Sequence, residues 1–297
     1  MSKEIAASLR DFTRAGAGGL VIGLPLLFTM EIWFHGSLLP AWKLLLLLGL
    51  AYLVVLGYNS VAGFRRERSF AELAIDSIST IGLGIVLAFG ALLVLGRIEV
   101  GTSLRDAAGK VALEAIPIAF GASVAATQLS GGGGGKSKGE KGGGKGERSD
   151  RQPGAFHRLL VGAGGGLLFA LNVAPTDEPL MLGVEAPPPL LLTVVGATLL
   201  LTLALVFYAD FGGRPVARGD GLLDRPVPET LAAFAVSLAV ALLLLWSFGR
   251  IDGAGVQAIA GMTVMLAVVA SVGAAVARLL ISGGEEGGRE GGREASG

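Results

Sequence analysis

Two copies of a short acidic motif are the part of this chain best suited to chemistry. Thr29-x-Glu31 and Thr176-x-Glu178 lie 147 residues apart, and Asp177 fills the middle position of the second copy. Hydroxyl and carboxylate oxygens are the ligands that hard cations accept, and rings of carboxylates select cations in channels. Prolines close to both motifs would leave backbone carbonyls free beside the acids. The pattern predicts a cation site that draws on both copies.

A second interpretation of these acids stays open, because two arginines are expected at the same depth. Arg97 and Arg250 each stand in a Gly-Arg-Ile-acid sequence, which ends at Glu99 in one copy and Asp252 in the other. The glycine is well placed to cap the preceding helix. The arginines would then either determine the electrostatic field at the outer end of the pore or form structural ion pairs with the motif acids.

Glu114 is a separate candidate, since it falls near the middle of an apolar stretch, three residues before Pro117. An ionisable group at the centre of a bilayer costs roughly 2.5–3.5 kcal/mol and therefore calls for a partner or a function. Lys110 lies four residues earlier, on the same helical face. One hypothesis is a locked ion pair between the two, and the other is proton or cation handling by Glu114.

The composition disfavours a water-soluble enzyme. The chain has 297 residues, of which 52% are apolar and 16% charged, with 24 basic and 24 acidic residues and no cysteine. Soluble domains carry about 25% charged residues. The balanced charge gives no basic field for nucleic acid, and zinc-protease and nucleophile-elbow motifs are missing from the sequence. We therefore expect neither an enzyme nor a bound cofactor.

The apolar stretches instead predict an all-α, polytopic transmembrane helical bundle. A span needs roughly 20 mainly apolar residues, and eight stretches reach or approach that length: 15–34, 38–62, 73–96, 106–129, 158–175, 188–209, 228–248 and 254–282. Basic residues concentrate on the cytoplasmic side of membrane proteins. This rule predicts a multi-pass protein of the inner (plasma) membrane with both termini cytoplasmic, because only five basic residues then fall on the outer side: Lys43, Arg97, Arg105, Lys110 and Arg250.

The two halves of the chain resemble each other. Residues 18–36 match residues 165–183 at seven of nineteen positions, and residues 121–131 match residues 273–283 at six of eleven. Four spans in each half would give two repeats of the same orientation, related by an axis along the membrane normal. The predicted domains are a first four-helix repeat (1–130), a flexible Gly/Lys-rich cytoplasmic linker (131–154), a second four-helix repeat (155–282) and a disordered tail (283–297).

Three segments also carry a family resemblance: GLPLLFTMEIW at 23–33, EAIPIAFG at 114–121 and ALNVAPTDEP at 170–179. In this order and spacing they resemble an uncharacterised prokaryotic family of integral membrane proteins, a polytopic domain of unknown function. The likeness runs from about residue 8 to residue 282. It implies a polytopic protein of about eight helices, but it brings no activity and no functional residue.

The leading functional hypothesis is a cation channel or cation transporter with duplicated Thr-x-Glu sites near the outer face. The alternative is a non-transporting membrane sensor or scaffold that uses its basic linker to contact anionic lipid or a partner protein. The expected partners are the lipid bilayer and a cation, with divalent ions and the proton as candidates, and no nucleic acid. A homodimer is the preferred assembly, because homo-oligomers are most often two-fold.

Overall fold

A computed structural model describes residues 3–62, 69–130, 155–211 and 225–294, and their side chains within 12–60, 69–126, 158–205 and 225–277. These residues form ten helices joined by turns, with no strand among them. The linker predicted at 131–154 lies outside the described residues.

The helices follow one another in two similar series. The first half contains α1 (Lys3–Leu27), α2 (Met30–Leu38), α3 (Ala41–Ala62), α4 (Phe70–Val94) and α5 (Leu104–Ser130). The second half contains α6 (Ala155–Leu171), α7 (Glu178–Glu185), α8 (Pro188–Phe211), α9 (Pro226–Ser247) and α10 (Val256–Glu294). Helix α10 thus includes most of the segment predicted as a tail, and the predicted domain boundaries stay predictions.

Six of the described helices are long and apolar enough to cross a membrane, namely α3, α4, α5, α8, α9 and α10. The first predicted span is instead a bent pair, because α1 and α2 meet at 86°. The fifth predicted span is also shorter than expected, since its apolar helix runs only from Arg158 to Leu171. Eight uninterrupted spans are therefore not confirmed.

Proline and turn residues explain both interruptions. Pro25 lies close to the C-terminal end of α1 and cannot donate the helical hydrogen bond to the carbonyl four residues earlier. In the second half a turn that contains Pro175 separates Leu171 from the start of α7.

Local capping fixes the start of α4 and the ends of α4 and α9. Helix α4 begins with a capping box in which the Ser69 hydroxyl accepts from the Glu72 amide and the Glu72 carboxylate accepts from the Ser69 amide. Helices α4 and α9 end in the same way, at Gly96 and Gly249, which have φ values of +64° and +71°. A residue that follows a helix in the left-handed backbone conformation avoids steric strain only when it lacks a Cβ, so glycine is favoured at both positions.

The two halves are each built around their last helix. Helices α1, α2, α3 and α4 all contact α5, while α6, α7, α8 and α9 all contact α10. Helix α6 also contacts α3, and this contact joins the two halves.

Glycines allow the closest of these contacts. A Cβ added at Gly19 of α1 would lie 2.6 Å from the Ile118 carbonyl oxygen of α5. At Gly166 of α6 the added Cβ would lie 3.0 Å from the carbonyl oxygen of Ala270 in α10. Small residues at helix interfaces let backbones approach in this way, and in a bilayer such packing is a main source of helix association.

Two glycines of α4 provide a matched test of this packing. A Cβ at Gly84 would lie 2.7 Å from the Ala115 carbonyl oxygen and 2.9 Å from the Ala119 Cβ, whereas a Cβ at Gly82 meets nothing within 4 Å. We expect Gly84→Ala to lower the free energy of unfolding by about 1–3 kcal/mol, because α4 must move away from α5. Gly82→Ala should be neutral or stabilising by up to about 1 kcal/mol. Thermal unfolding in detergent measures both, and equal effects would contradict the packing described.

Candidate functional site

The first Thr-x-Glu motif lies at the break between α1 and α2. Thr29 is the N-cap residue of α2, but its hydroxyl donates back to the Pro25 carbonyl oxygen at 2.7 Å and does not cap the helix. Glu31 follows in the first turn of α2. An acid in that position is stabilised by the positive end of the helix dipole. Helix geometry alone therefore explains why an acid stands there.

The second motif has the same place between α6 and α7. The Thr176 hydroxyl donates to the Val173 carbonyl oxygen at 2.8 Å, Asp177 is the N-cap residue, and Glu178 is the first residue of α7. Glu178 is exposed. Among the described residues no hydrogen bond or ion pair joins the side chains of the two motifs, so a cation site shared between them stays a prediction.

Of the two arginines that could pair with the motif acids, Arg250 forms an ion pair and Arg97 does not among the described residues. Arg250 binds Asp177, not Glu178, with 2.7 Å between Nη1 and Oδ1, and it also donates to the Pro175 carbonyl oxygen. Asp177 is 72% exposed, so the pair itself contributes about 0–1 kcal/mol. Its main effect is to fix the turn that ends in the second motif.

In the first half the equivalent arginine has an aromatic partner. The Arg97 guanidinium lies 4.8 Å from the centroid of the Trp33 ring, and Nε donates to the Leu95 carbonyl oxygen at 3.3 Å. No ion pair with Glu31 occurs in the part of the chain that the structure describes. Glu99 and Asp252, which end the two Gly-Arg-Ile-acid sequences, are both exposed.

Lys110 does not neutralise Glu114, which corrects one of the two hypotheses for that acid. Its Nζ lies 2.9 Å from Asp106 Oδ2 and donates to the Arg97 carbonyl oxygen at 3.2 Å. Asp106 also accepts from the Ser37 hydroxyl of α2. Both Asp106 and Glu114 are four residues from Lys110, so the sequence spacing favoured neither acid. Lys110 pairs with Asp106, which lies nearer the start of α5, where the Ser37 hydroxyl of α2 is within hydrogen-bond distance.

Glu114 itself is buried in α5, and the indole of Trp33 is its polar neighbour. Its side chain is 0% exposed, and neither carboxyl oxygen has a hydrogen-bond partner. The indole of Trp33 lies beside it, but the indole N–H is likewise buried without a hydrogen bond. A buried polar group without a partner is costly, and an ionised one far more so. The sequence singled out Glu114, but nothing in it pointed to Trp33 as the neighbour.

The equivalent place in the second half is apolar. Alignment of the two halves pairs Trp33 with Leu180 and Glu114 with Leu266. Leu266 is 0% exposed, and Leu180 packs against the same apolar cluster. The architecture therefore accommodates two leucines where the first half has the tryptophan and the acid.

Two groups of polar side chains elsewhere in the bundle are paired. Asn59 of α3 donates to the Ser77 hydroxyl at 3.1 Å and accepts from Ser123 of α5 at 2.6 Å. In the second half Arg158 of α6 and Glu229 of α9 form an ion pair of 2.7 Å. Sequence reasoning did not identify either group, since their members are far apart along the chain.

At the end of the bundle that carries α2 and α7, the halves contact each other. The His35 ring of α2 packs edge-on against Phe248 with 5.1 Å between centroids. Lys43 of α3 donates to the Trp246 carbonyl oxygen at 2.8 Å, and the tilted rings of Trp42 and Trp246 lie 5.5 Å apart between centroids. These contacts join the halves at the end of the bundle that carries both motifs. No group of three or more possible metal ligands occurs among the described residues.

Comparison with known proteins gives one match. The sequence model of a family described as "Putative integral membrane protein (DUF2391)" matches residues 11–281. No curated protein and no solved structure matches the chain. The family match confirms the resemblance carried by the three sequence segments and the membrane character of the apolar helices, and it supplies no activity.

Removal of the Glu114 carboxyl group distinguishes a structural role from a functional one. We expect Glu114→Leu to raise the free energy of unfolding by about 1–3 kcal/mol, because an unsatisfied buried group is replaced by an apolar one of similar size. Leu266→Glu, the reverse exchange in the second half, should be destabilising. Thermal unfolding in detergent is the measurement. A loss of stability in Glu114→Leu would instead mean that the carboxyl group is held by a structural partner.

Proposed function

The chain belongs to the DUF2391 family of integral membrane proteins, and from that premise we propose that it is a cation transporter in which Glu114 binds and releases the transported or coupling ion. The observation that carries the proposal is the Glu114 carboxyl group, fully buried and without a hydrogen-bond partner. A membrane-embedded acid of this kind is a functional site by default.

Energetics support ion binding at this position. An isolated carboxylate inside a bilayer costs roughly 2.5–3.5 kcal/mol or more, so Glu114 needs a proton or another cation whenever it has no protein partner. Lys110 is engaged by Asp106 and cannot fill this role without giving up that pair. A proton is the smallest ion that the packed surroundings of Glu114 could accept.

The enclosure of Glu114 favours a transporter over an open channel. Its neighbours in α5, Leu113, Ala115 and Ile116, are buried as well, and α5 is covered by α1, α2, α3 and α4. An ion could reach the carboxyl group only if one of these helices moves. Alternating movement of this kind is the basis of secondary transport.

The acids at the α2 and α7 starts have a supporting role in this proposal. Glu31, Asp177 and Glu178 follow the two helix breaks, and Glu178 and Asp177 are exposed. Acids lining an entrance concentrate cations by long-range attraction. We assign Glu31 and Glu178 to cation capture at the outer mouth, with Glu114 as the site of binding, whereas Asp177 is held in its ion pair with Arg250.

Two parallel repeats are part of the same proposal. Contacts of α1 with α5 correspond to those of α6 with α10, and contacts of α4 with α5 correspond to those of α9 with α10. Gly36 meets Gly109 at a close backbone crossing, and Gly183 meets Gly261 in the same way. These correspondences support a duplicated module. In each copy the first two helices, α1 with α2 or α6 with α7, together count as one membrane passage.

The proposed setting is the inner (plasma) membrane with both termini on the cytoplasmic side, and a homodimer is the proposed assembly. Basic residues distributed towards the termini and residues 131–154 support the orientation. The alternative of a sensor or scaffold that acts through its basic linker depends on residues outside the described part of the chain.

Ion flux in proteoliposomes tests the proposal. Uptake of H⁺, Na⁺, K⁺ and Ca²⁺ is followed separately with ion-sensitive dyes under an imposed gradient. We expect flux of at least one cation in the native protein and loss to the level of empty vesicles in Glu114→Gln, which keeps the shape of the side chain and removes its charge. Glu185→Gln, an exposed acid at the end of α7, is the matched control and should retain flux.

The double variant Glu31→Gln/Glu178→Gln separates capture from binding. If the outer acids concentrate cations, the flux of this variant should be lower than that of the native protein at low salt. At high cation concentration the difference should disappear, because salt screens the attraction in the native protein and mass action fills the site in both. Unchanged flux in Glu114→Gln, or no flux of any of the four cations in the native protein, would overturn the proposal.

A further inference from the structure

Trp33 of α2 and Glu114 of α5 bring complementary polar groups together inside the bundle. The Trp33 indole lies beside the Glu114 carboxyl group, and the indole N–H and both carboxyl oxygens are buried without a hydrogen bond. An indole N–H only donates hydrogen bonds, and an ionised carboxylate only accepts them. The two groups are therefore a matched donor and acceptor that are adjacent but not joined.

The side chains that pack around this pair are apolar. Val111 and Ile118 lie three residues before and four residues after Glu114, on the same face of α5. Both belong to a buried apolar cluster against which Trp33 packs, and α1 adds Leu27 to that cluster. These side chains supply no oxygen atom to an ion bound at Glu114.

Such surroundings discriminate between a metal cation and a proton. A hard metal cation needs several oxygen ligands, about six to eight for Ca²⁺, and the neighbouring indole N–H cannot be one because it has no acceptor atom. A proton needs a single carboxyl oxygen and no additional space. Its binding also removes the charge that makes burial of Glu114 costly. The site is therefore suited to a proton.

Trp33 also lies between Glu114 and the surface of the protein. Its ring is partly exposed although its N–H is buried. The guanidinium of Arg97, an exposed residue, lies 4.8 Å from the ring centroid. Movement of the Trp33 ring would therefore open a route between this surface and the Glu114 carboxyl group.

Resting on the proposed function, we propose that the ion bound and released by Glu114 is a proton and that Trp33 is a positioning residue for this exchange. Release breaks the O–H bond of the carboxyl group, and the proton passes to water that enters beside the Trp33 ring. The indole N–H then donates to the ionised carboxylate, which is never left without a donor. When a proton returns and forms the O–H bond again, the charge disappears and the indole is released.

Fluorescence of a protein that keeps only Trp33 tests this role. The chain has three tryptophans, so Trp42→Phe/Trp246→Phe leaves Trp33 as the single reporter. In vesicles, we expect a step in its emission as the pH is varied and Glu114 exchanges its proton, and no such step once Glu114→Gln is added. Na⁺, K⁺ or Ca²⁺ at constant pH should leave the emission unchanged. Lack of a step, or the same step with and without Glu114→Gln, would overturn the inference.

The comparison with Glu114→Gln also controls for other groups that titrate near Trp33. Titratable side chains occur on the elements around the pair, namely Glu31 and His35 of α2, Arg97 and Glu99 in the turn after α4, and Arg105, Asp106 and Lys110 of α5. All of them remain in Glu114→Gln, so a change in emission that they cause appears in both proteins.

The pH profile of H⁺ flux tests Trp33 in a protein that keeps its other tryptophans. Trp33→Phe keeps an aromatic ring and removes the N–H. We expect its H⁺ flux to be half-maximal at a higher pH than that of the native protein, because the ionised carboxylate has lost its donor. Trp42→Phe, the same exchange at a tryptophan that lies against Trp246, should keep the native profile.

The outcomes separate this inference from the proposed function. A native pH profile in Trp33→Phe would overturn the inference and leave transport through Glu114 standing. Flux of Na⁺, K⁺ or Ca²⁺ that Glu114→Gln abolishes would do the same, because the ion would then be a metal cation. Flux of none of the four cations in the native protein would overturn the proposed function and this inference together.

Discussion

A polar group buried among membrane helices must find its partner within the protein, and this constraint governs how the bundle is arranged. Asn59, Ser77 and Ser123 satisfy one another across three helices. Arg158 and Glu229 neutralise each other between α6 and α9. Glu114 is the buried acid, among the described residues, that the fold leaves without a hydrogen-bond partner. Since a chain pays for such a group in stability, we attribute its presence to function.

The two halves share their packing and differ in their polar content. Glycine contacts let α1 approach α5 and α6 approach α10, and the left-handed glycines at 96 and 249 close equivalent helices. In contrast, Trp33 and Glu114 of the first half correspond in the alignment to two leucines, Leu180 and Leu266, of the second. The scaffold is thus shared, while the proposed ion site depends on an acid that is present in the first half only.

Sequence reasoning predicted the features that depend on local composition. Eight apolar runs were predicted to be spans, and six of them coincide with helices long and apolar enough to cross a membrane. Gly96 and Gly249 were predicted to be helix ends, and both close their helices in the left-handed conformation. The break at Thr29 was not predicted, although Pro25 was noted, because a proline near a helix end permits either a kink or a turn. The ion pair of Lys110 with Glu114 was one of two hypotheses, and Lys110 instead pairs with Asp106. Both acids lie four residues from Lys110, so the sequence spacing could not decide between them, whereas the packing of α2 beside Asp106 does. The contact of Trp33 with Glu114 depends on how distant segments pack and leaves no local signal in the sequence.

Infrared difference spectroscopy of the reconstituted protein tests most directly whether Glu114 exchanges an ion. Spectra are recorded between acidic and alkaline buffer, and before and after addition of the cation that the protein transports. If Glu114 binds and releases that ion, we predict a carboxyl C=O band that changes under one of these conditions and is missing from the Glu114→Gln variant. Identical difference spectra for the native protein and the variant would contradict an ion-handling role for this carboxyl group.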